Sequence, residues 1–179
     1  LLEIVEPHLK DLEGFAWVAE KKNYQNKVRA GKFRIEKGMS NDELVNHLRG
    51  GKQVTVTLTF NNQDTFDKLA GRVAAQIEAD SLSVLKVLNE DQYLQANGFD
   101  QTNALSMYVP NSYDFYWNTS AEGFRDRMLE EYKRFWNNDR LRKAQELNLT
   151  PLQVSTLASI VQKETAVISE RKRVAGLYL

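Results

Sequence analysis

A single carboxylate, Glu164, interrupts an apolar pattern at helical spacing: Leu157, Val161, Glu164 and Ile168 recur at intervals of four, three and four residues. Residues so spaced share one face of a helix, with Ile160 and Val167 flanking it, so Glu164 projects from the side on which its neighbours are apolar. Two readings follow. In one, Glu164 is a surface glutamate at the edge of the stripe, paired with Lys163 or with Arg171. In the other it is a half-buried carboxylic acid, a type of group that desolvation lets hold a proton near neutral pH. Such an acid can protonate a leaving oxygen and later accept a proton from an attacking hydroxyl. Glycosidic bond cleavage needs that service, and hydrolases usually supply it with two carboxylates. Asp114 and Glu170 are available as a second acid, but no spacing singles out either.

The element that must carry Glu164 is well specified. Thr150 can accept a hydrogen bond from an orphan amide, and Pro151 fits the first turn, where its missing N–H costs nothing. The segment Tyr108-Val109-Pro110-Asn111-Ser112-Tyr113-Asp114-Phe115-Tyr116-Trp117 is the natural companion, read as irregular and aromatic. Its rings could line a groove, because flat apolar faces suit the C–H surfaces of sugars; they could equally fill a core between the flanking helices. Asn111, Ser112 and Asp114 add hydrogen-bonding groups in the same place.

The rest of the chain supplies the frame. A short helix is expected within Glu13 to Tyr24, then a strand with a glycine kink over Lys27 to Ile35. Ser40 and Glu43 form a capping box for a helix buried through Leu44, Val45 and Leu48 and stopped at Gly50-Gly51. Gln53 to Phe60 alternates strictly and puts Val54, Val56, Leu58 and Phe60 on one face of a strand. Asp64 is placed to cap a helix carrying Phe66, Leu69, Ala70, Val73 and Ile77. Shorter helices follow over Leu82 to Leu88 and Glu90 to Ala96, the latter ended by Asn97-Gly98. Ser120 precedes a long amphipathic helix bearing Phe124, Met128, Tyr132 and Phe135. The fold class is α+β, and the glycine pair at 50 and 51 is the best candidate for a joint between subdomains.

Bulk properties narrow the chemistry. Twenty-four basic and 24 acidic side chains balance to a formal net charge of zero, which gives no compositional support for binding nucleic acid or acidic lipid. Without cysteine there is no disulfide, thiolate nucleophile or cysteine-bound zinc. His8 and His47 are the only histidines, and no HExxH, Walker A or GxGxxG pattern occurs. No cofactor is therefore expected, and nothing marks a lysine for pyridoxal phosphate. No apolar run reaches the length of a membrane span, and no signal-peptide pattern is visible. The start without methionine and the apolar end Gly176-Leu177-Tyr178-Leu179 read as those of a fragment.

At the segments that carry chemistry the chain resembles the endolytic murein transglycosylases of the MltG type, also called YceG-like. Leu157-Ala158-Ser159-Ile160-Val161-Gln162-Lys163-Glu164-Thr165-Ala166, with Ser169-Glu170-Arg171, is similar to that family's catalytic-helix motif. Many members have glutamate where this chain has Gln162, which leaves Glu164 as the residue able to be the family's catalytic acid. Leu105-Ser106-Met107-Tyr108-Val109-Pro110-Asn111-Ser112-Tyr113 resembles the second block more loosely, with Ser106-Met107 in place of glutamate-glycine and Asn111-Ser112 in place of aspartate-threonine. Ala30 to Ile35, Gly38-Met39-Ser40 and Leu48 to Gly51 look like the LysM-like subdomain of these proteins.

The resemblance implies an N-terminal helix and LysM-like subdomain over residues 1–52, and over 53–179 the N-terminal portion of a mainly helical catalytic domain. It implies Glu164 as catalytic residue, with Thr165, Tyr113, Ser112, Asn111 and Tyr108 binding or orienting substrate. The reaction implied is cleavage of the MurNAc–GlcNAc β-1,4 bond of nascent glycan with formation of 1,6-anhydroMurNAc. It needs no metal or cofactor. Peptidoglycan strands, and cell-wall synthesis proteins, are the implied partners. A single-pass membrane anchor outside this chain would hold the region facing the periplasm or wall, and the catalytic domain would continue beyond Leu179. This stretch alone is then expected to be weakly active or inactive. The competing reading is a non-catalytic protein that binds or scaffolds wall glycan through the LysM-like unit, with Glu164 in a structural ion pair.

Overall fold

The structure, a computed structural model, describes residues 2–179. It is α+β: the described residues form helices and a two-stranded sheet, and the chain divides into two units. Among the described residues no helix is long and apolar enough to cross a membrane.

The first unit holds the chain up to Leu58, with Gln76–Glu78 and Tyr113–Thr119. It contains α1 (Leu2–Val5), α2 (Leu12–Lys21) and α3 (Asn41–Gly50). Asp11 caps α2 by accepting from Gly14 N–H at 2.9 Å, and Ser40 and Glu43 form the expected capping box on α3. The two helices bury Phe15, Ala19, Leu44, Val45 and Leu48 against Val5 and Tyr24, with Phe33 and Met39 packed on that cluster. Lys27 to Ile35 does not form the expected strand. It forms no regular element and bends at Lys27 and Gly31, with Val54 N–H donating to Lys32 C=O at 2.8 Å and the Asn118 amide to Ala30 C=O at 3.0 Å. Val28 and Ile35 remain exposed, so burial supplies no drive to extend that single backbone bond into a ladder.

The sheet pairs β1 (Thr55–Phe60) with β2 (Asn111–Tyr116). Register is antiparallel: Thr57 Oγ1 donates to Asp114 Oδ1 at 2.9 Å, and Thr59 Oγ1 lies 2.7 Å from Ser112 Oγ. Leu58 and Phe60 are buried on one face of β1, as its alternation requires. The aromatic segment is thus a strand in its second half, a correction to the irregular reading. Tyr113 and Phe115 are buried while Asn111, Ser112, Asp114 and Tyr116 are exposed.

The second unit holds Thr59–Ala75, Ala79–Ser112 and Ser120–Leu179. Its helices are α4 (Phe66–Ala74), α5 (Ser81–Leu88), α6 (Asp91–Ala96), α7 (Ala121–Phe135), α8 (Asn138–Glu146), α9 (Pro151–Glu164) and α10 (Arg171–Tyr178). The core is built from Leu69 and Val73 of α4, Val84 and Leu88 of α5, Leu94 of α6, and Phe124 and Met128 of α7. Thr65, not Asp64, caps α4 through Lys68 N–H at 3.2 Å, because the Asp64 carboxylate is taken up by lysine side chains instead. Gly98, at φ +80°, closes α6: Phe99 N–H reaches back to Leu94 C=O at 2.9 Å, a turn that favours a residue without Cβ.

Candidate active site

Glu164 is the last residue of α9. The helix starts as its sequence dictates: Gln153 N–H donates to Thr150 Oγ1 at 3.3 Å, Thr150 N–H donates to Gln153 Oε1 at 2.8 Å, and Pro151 takes the first turn. It ends sooner than the apolar spacing suggests. Thr165 is the C-cap with extended backbone, so Ile168 lies beyond the helix, 77% exposed in a following 3-10 turn, and does not continue the stripe. Leu157 is half-buried and Val161 buried, but Glu164 is exposed rather than half-buried.

The residues on either side of Glu164 are each tied down. Asn62 Nδ2 donates to Gln162 Oε1, and Lys163 Nζ lies 3.2 Å from Asp64 Oδ1. Lys68 reaches the other oxygen of Asp64 at 3.2 Å; hydrogen bonds from Lys68 and then Lys163 hold that carboxyl below its ordinary range. After Glu164, the buried Thr165 hydroxyl donates to Glu170 Oε2 at 2.9 Å and accepts from Val167 N–H at 3.0 Å. The Glu164 carboxylate has no hydrogen bond or ion pair among the described residues. Neither expected structural partner takes it, for Lys163 is on Asp64 and Arg171 buries its Nε without an acceptor.

The second block is divided by burial. Asn111 and Ser112 are exposed at the start of β2; Asn111 Oδ1 accepts from Ser112 N–H at 2.8 Å, and Ser112 Oγ meets Thr59. Thr59 stands three residues before Asn62, the partner of Gln162, so the start of β2 and the end of α9 attach to one short stretch, 59–64. Tyr113 is 8% exposed in the first unit.

Tyr108 is a core residue of the second unit. Its ring stacks on Phe124 at 6.0 Å and meets Phe66 edge-on at 6.2 Å. The hydroxyl is buried without a hydrogen-bond partner, and burial pushes it well above the ordinary phenol value. Arg125, also buried, stacks over Tyr93 at 3.5 Å and pairs with Asp126 at 3.0 Å and with Glu90. Burial, reinforced by Asp126, pushes the Tyr93 hydroxyl up to about 12.

In the sequence Asn62 reads only as part of an Asn61-Asn62 turn and Asp64 only as a helix cap. Their contacts join residues 100 and 99 positions apart, and no local spacing carries such a signal.

A sequence model of the YceG-like family matches residues 5–179. Over 191 residues the chain is 28% identical to a Streptococcus pneumoniae (serotype 2, strain D39) protein named endolytic murein transglycosylase, covering 92% of this chain and 34% of that relative. The counterpart from strain R6 is 27% identical over 195 residues, with the same shares. The chain therefore spans about a third of the length of these curated relatives. A crystal structure of a YceG-like protein from Listeria monocytogenes matches with a TM-score of 0.58 at 20% identity, over 96% of this chain and 62% of that one. That likeness concerns the fold.

Proposed function

The chain belongs to the YceG-like family, and from that premise we propose that it forms part of an endolytic murein transglycosylase with Glu164 as its acid and base. The observation that carries this reading is the state of Glu164: an exposed carboxylate with no partner, between neighbours that are each anchored. Neither Lys163 nor Arg171, the cations a structural ion pair would use, is bound to it.

In the proposed reaction Glu164 protonates the oxygen between N-acetylmuramic acid and N-acetylglucosamine as the β-1,4 bond to the muramyl C1 breaks. The carboxylate then takes the proton from the muramyl C6 hydroxyl, whose oxygen bonds to C1 and closes the 1,6-anhydro ring. The proton returns to Glu164, so atoms balance without water. Because the nucleophile belongs to the substrate, one carboxylate serves both steps. Asn111 and Ser112 offer exposed amide and hydroxyl groups to the sugar, and Thr165 sets the turn after the acid. Tyr108, buried in the core, acts through packing.

The proposal extends to organisation. An N-terminal helix and the LysM-like subdomain occupy residues 1–52 and the first part of the catalytic domain 53–179, and an anchor outside this chain places both at the wall-facing side of the membrane. Peptidoglycan strands are the substrate and wall-synthesis proteins the partners.

The test uses the full-length protein and uncrosslinked glycan strands, with mass spectrometry of the products. Anhydro-ended fragments that disappear in Glu164→Gln are expected. Binding without cleavage by the unsubstituted protein would sink the enzymatic reading and leave a glycan-binding protein.

A further inference from the structure

We propose that Asn62 and Asp64 are positioning residues for Glu164, acting as a latch on the last turn of α9. The inference rests on the catalytic reading of Glu164 and adds residues that its motif does not contain. Three observations carry it. Both contacts run from one loop between β1 and α4 to consecutive residues, Gln162 and Lys163, immediately before Glu164. All the side chains involved are exposed, so each contact contributes at most about 1 kcal/mol, too little to hold the fold together but enough to steady a helix end that would otherwise fray. And the final turn of α9 buries Val161 but leaves Gln162, Lys163 and Glu164 exposed, so packing does not by itself fix how those side chains are presented.

The two contacts do different work. Asn62 fixes the end of the helix by donating to a neutral acceptor. Asp64 engages Lys163, and Lys68 on the same carboxylate keeps Asp64 in place from within α4. With Lys163 held on Asp64, the Glu164 carboxylate stays free for a substrate oxygen. Thr165 and Glu170 fix the chain on the far side, so the acid projects from a turn held at both ends. A carboxylate that must meet a glycosidic oxygen and then a hydroxyl depends on such placement, because small displacements of a reacting group carry large rate losses.

The experiment compares full-length protein with Asn62→Ala, Asp64→Ala and the double variant, and uses two readouts. Backbone amide exchange across residues 161–166 is followed by mass spectrometry and should quicken about tenfold in the double variant while the thermal midpoint holds. Glycan cleavage should lose between about tenfold and a hundredfold in kcat with KM little changed. Gln162→Glu, which keeps an acceptor for Asn62, should retain activity where Gln162→Ala does not. Unchanged exchange in the double variant overturns the latch whether or not the protein cleaves glycan. Faster exchange with undiminished kcat overturns the positioning role. Absence of cleavage by the unsubstituted protein removes the catalytic reading, and the exchange measurement still decides the latch.

Discussion

Lys163 Nζ sits 3.2 Å from Asp64 Oδ1, a carboxylate 99 residues away, and not on Glu164, the carboxylate next to it in sequence. Adjacent helical residues point in different directions, so the neighbour was a poor partner from the start. The consequence is chemical. An acid that must donate and then accept a proton needs its oxygens available, and a lysine bound to it would occupy them and favour the wrong protonation state.

Glu164→Gln follows from this directly. The residue is exposed and makes no hydrogen bond, so its replacement should shift unfolding stability by no more than about 0.5 kcal/mol. Cleavage of glycan by the full-length protein should fall by at least about a hundredfold, since the amide can neither give nor take the proton. Urea midpoints and anhydro-product yield, measured on the same preparations, separate the two effects.

Thr165 offers a sharper contrast. Its hydroxyl is buried and does two jobs, giving a proton to Glu170 and accepting one from Val167 N–H. Thr165→Val keeps the shape and removes both bonds; since Glu170 and Val167 are exposed and water can serve them, the cost is about 0.5–1.5 kcal/mol. Thr165→Ser keeps the hydroxyl and should recover most of the stability. Denaturation curves of the two variants check the assignment; equal losses would place the effect in the methyl group.

The pH dependence of the α9 terminus has a definite sign. Lys68 and Lys163 depress the Asp64 carboxyl, so the folded chain binds that proton less readily than the unfolded one. Stability from this source is fully present above the unfolded value of about 3.9 and is lost as pH falls through the lower folded value. Asp64→Asn abolishes the titration. Amide exchange across residues 161–166, followed from about pH 5 downward and corrected for the intrinsic acid dependence, should loosen in the original chain and stay flat in the variant.

What could be read beforehand was what is local. The Ser40–Glu43 box and the Thr150-Pro151 start involve partners within three residues, and β1 betrays itself through Leu58 and Phe60 alternating with exposed threonines. The α8 helix was not legible from apolar periodicity, because Ala144 is its only buried residue. Its exposed face carries ion pairs at helical spacing, Asp139 with Arg142 and Lys143, and Arg142 with Glu146, and Asn137 caps it, so charge spacing was the signal to follow. Spacing also carried the α9 stripe too far, to Ile168, since apolar periodicity takes no account of the Thr165 hydroxyl that closes the turn. The site was half legible for the same reason: Glu164 lies in a contiguous motif, but Asn62 and Asp64 come to it only through the fold.

Tyr108 tests how the aromatic block works. Its ring is locked between Phe124 and Phe66, and its hydroxyl is buried with no acceptor or donor. A hydroxyl desolvated without a partner opposes folding, so Tyr108→Phe should leave stability unchanged or raise it by up to about 1–2 kcal/mol. Tyr108→Ala empties the stack and should cost about 3–5 kcal/mol, the usual range for a buried ring. Because the ring faces the core, Tyr108→Phe in the full-length protein should also leave KM for glycan strands unchanged. Urea denaturation and cleavage kinetics give both numbers. A loss of stability in Tyr108→Phe would mean that the hydroxyl has a partner in solution, and a raised KM would mean that it meets the sugar.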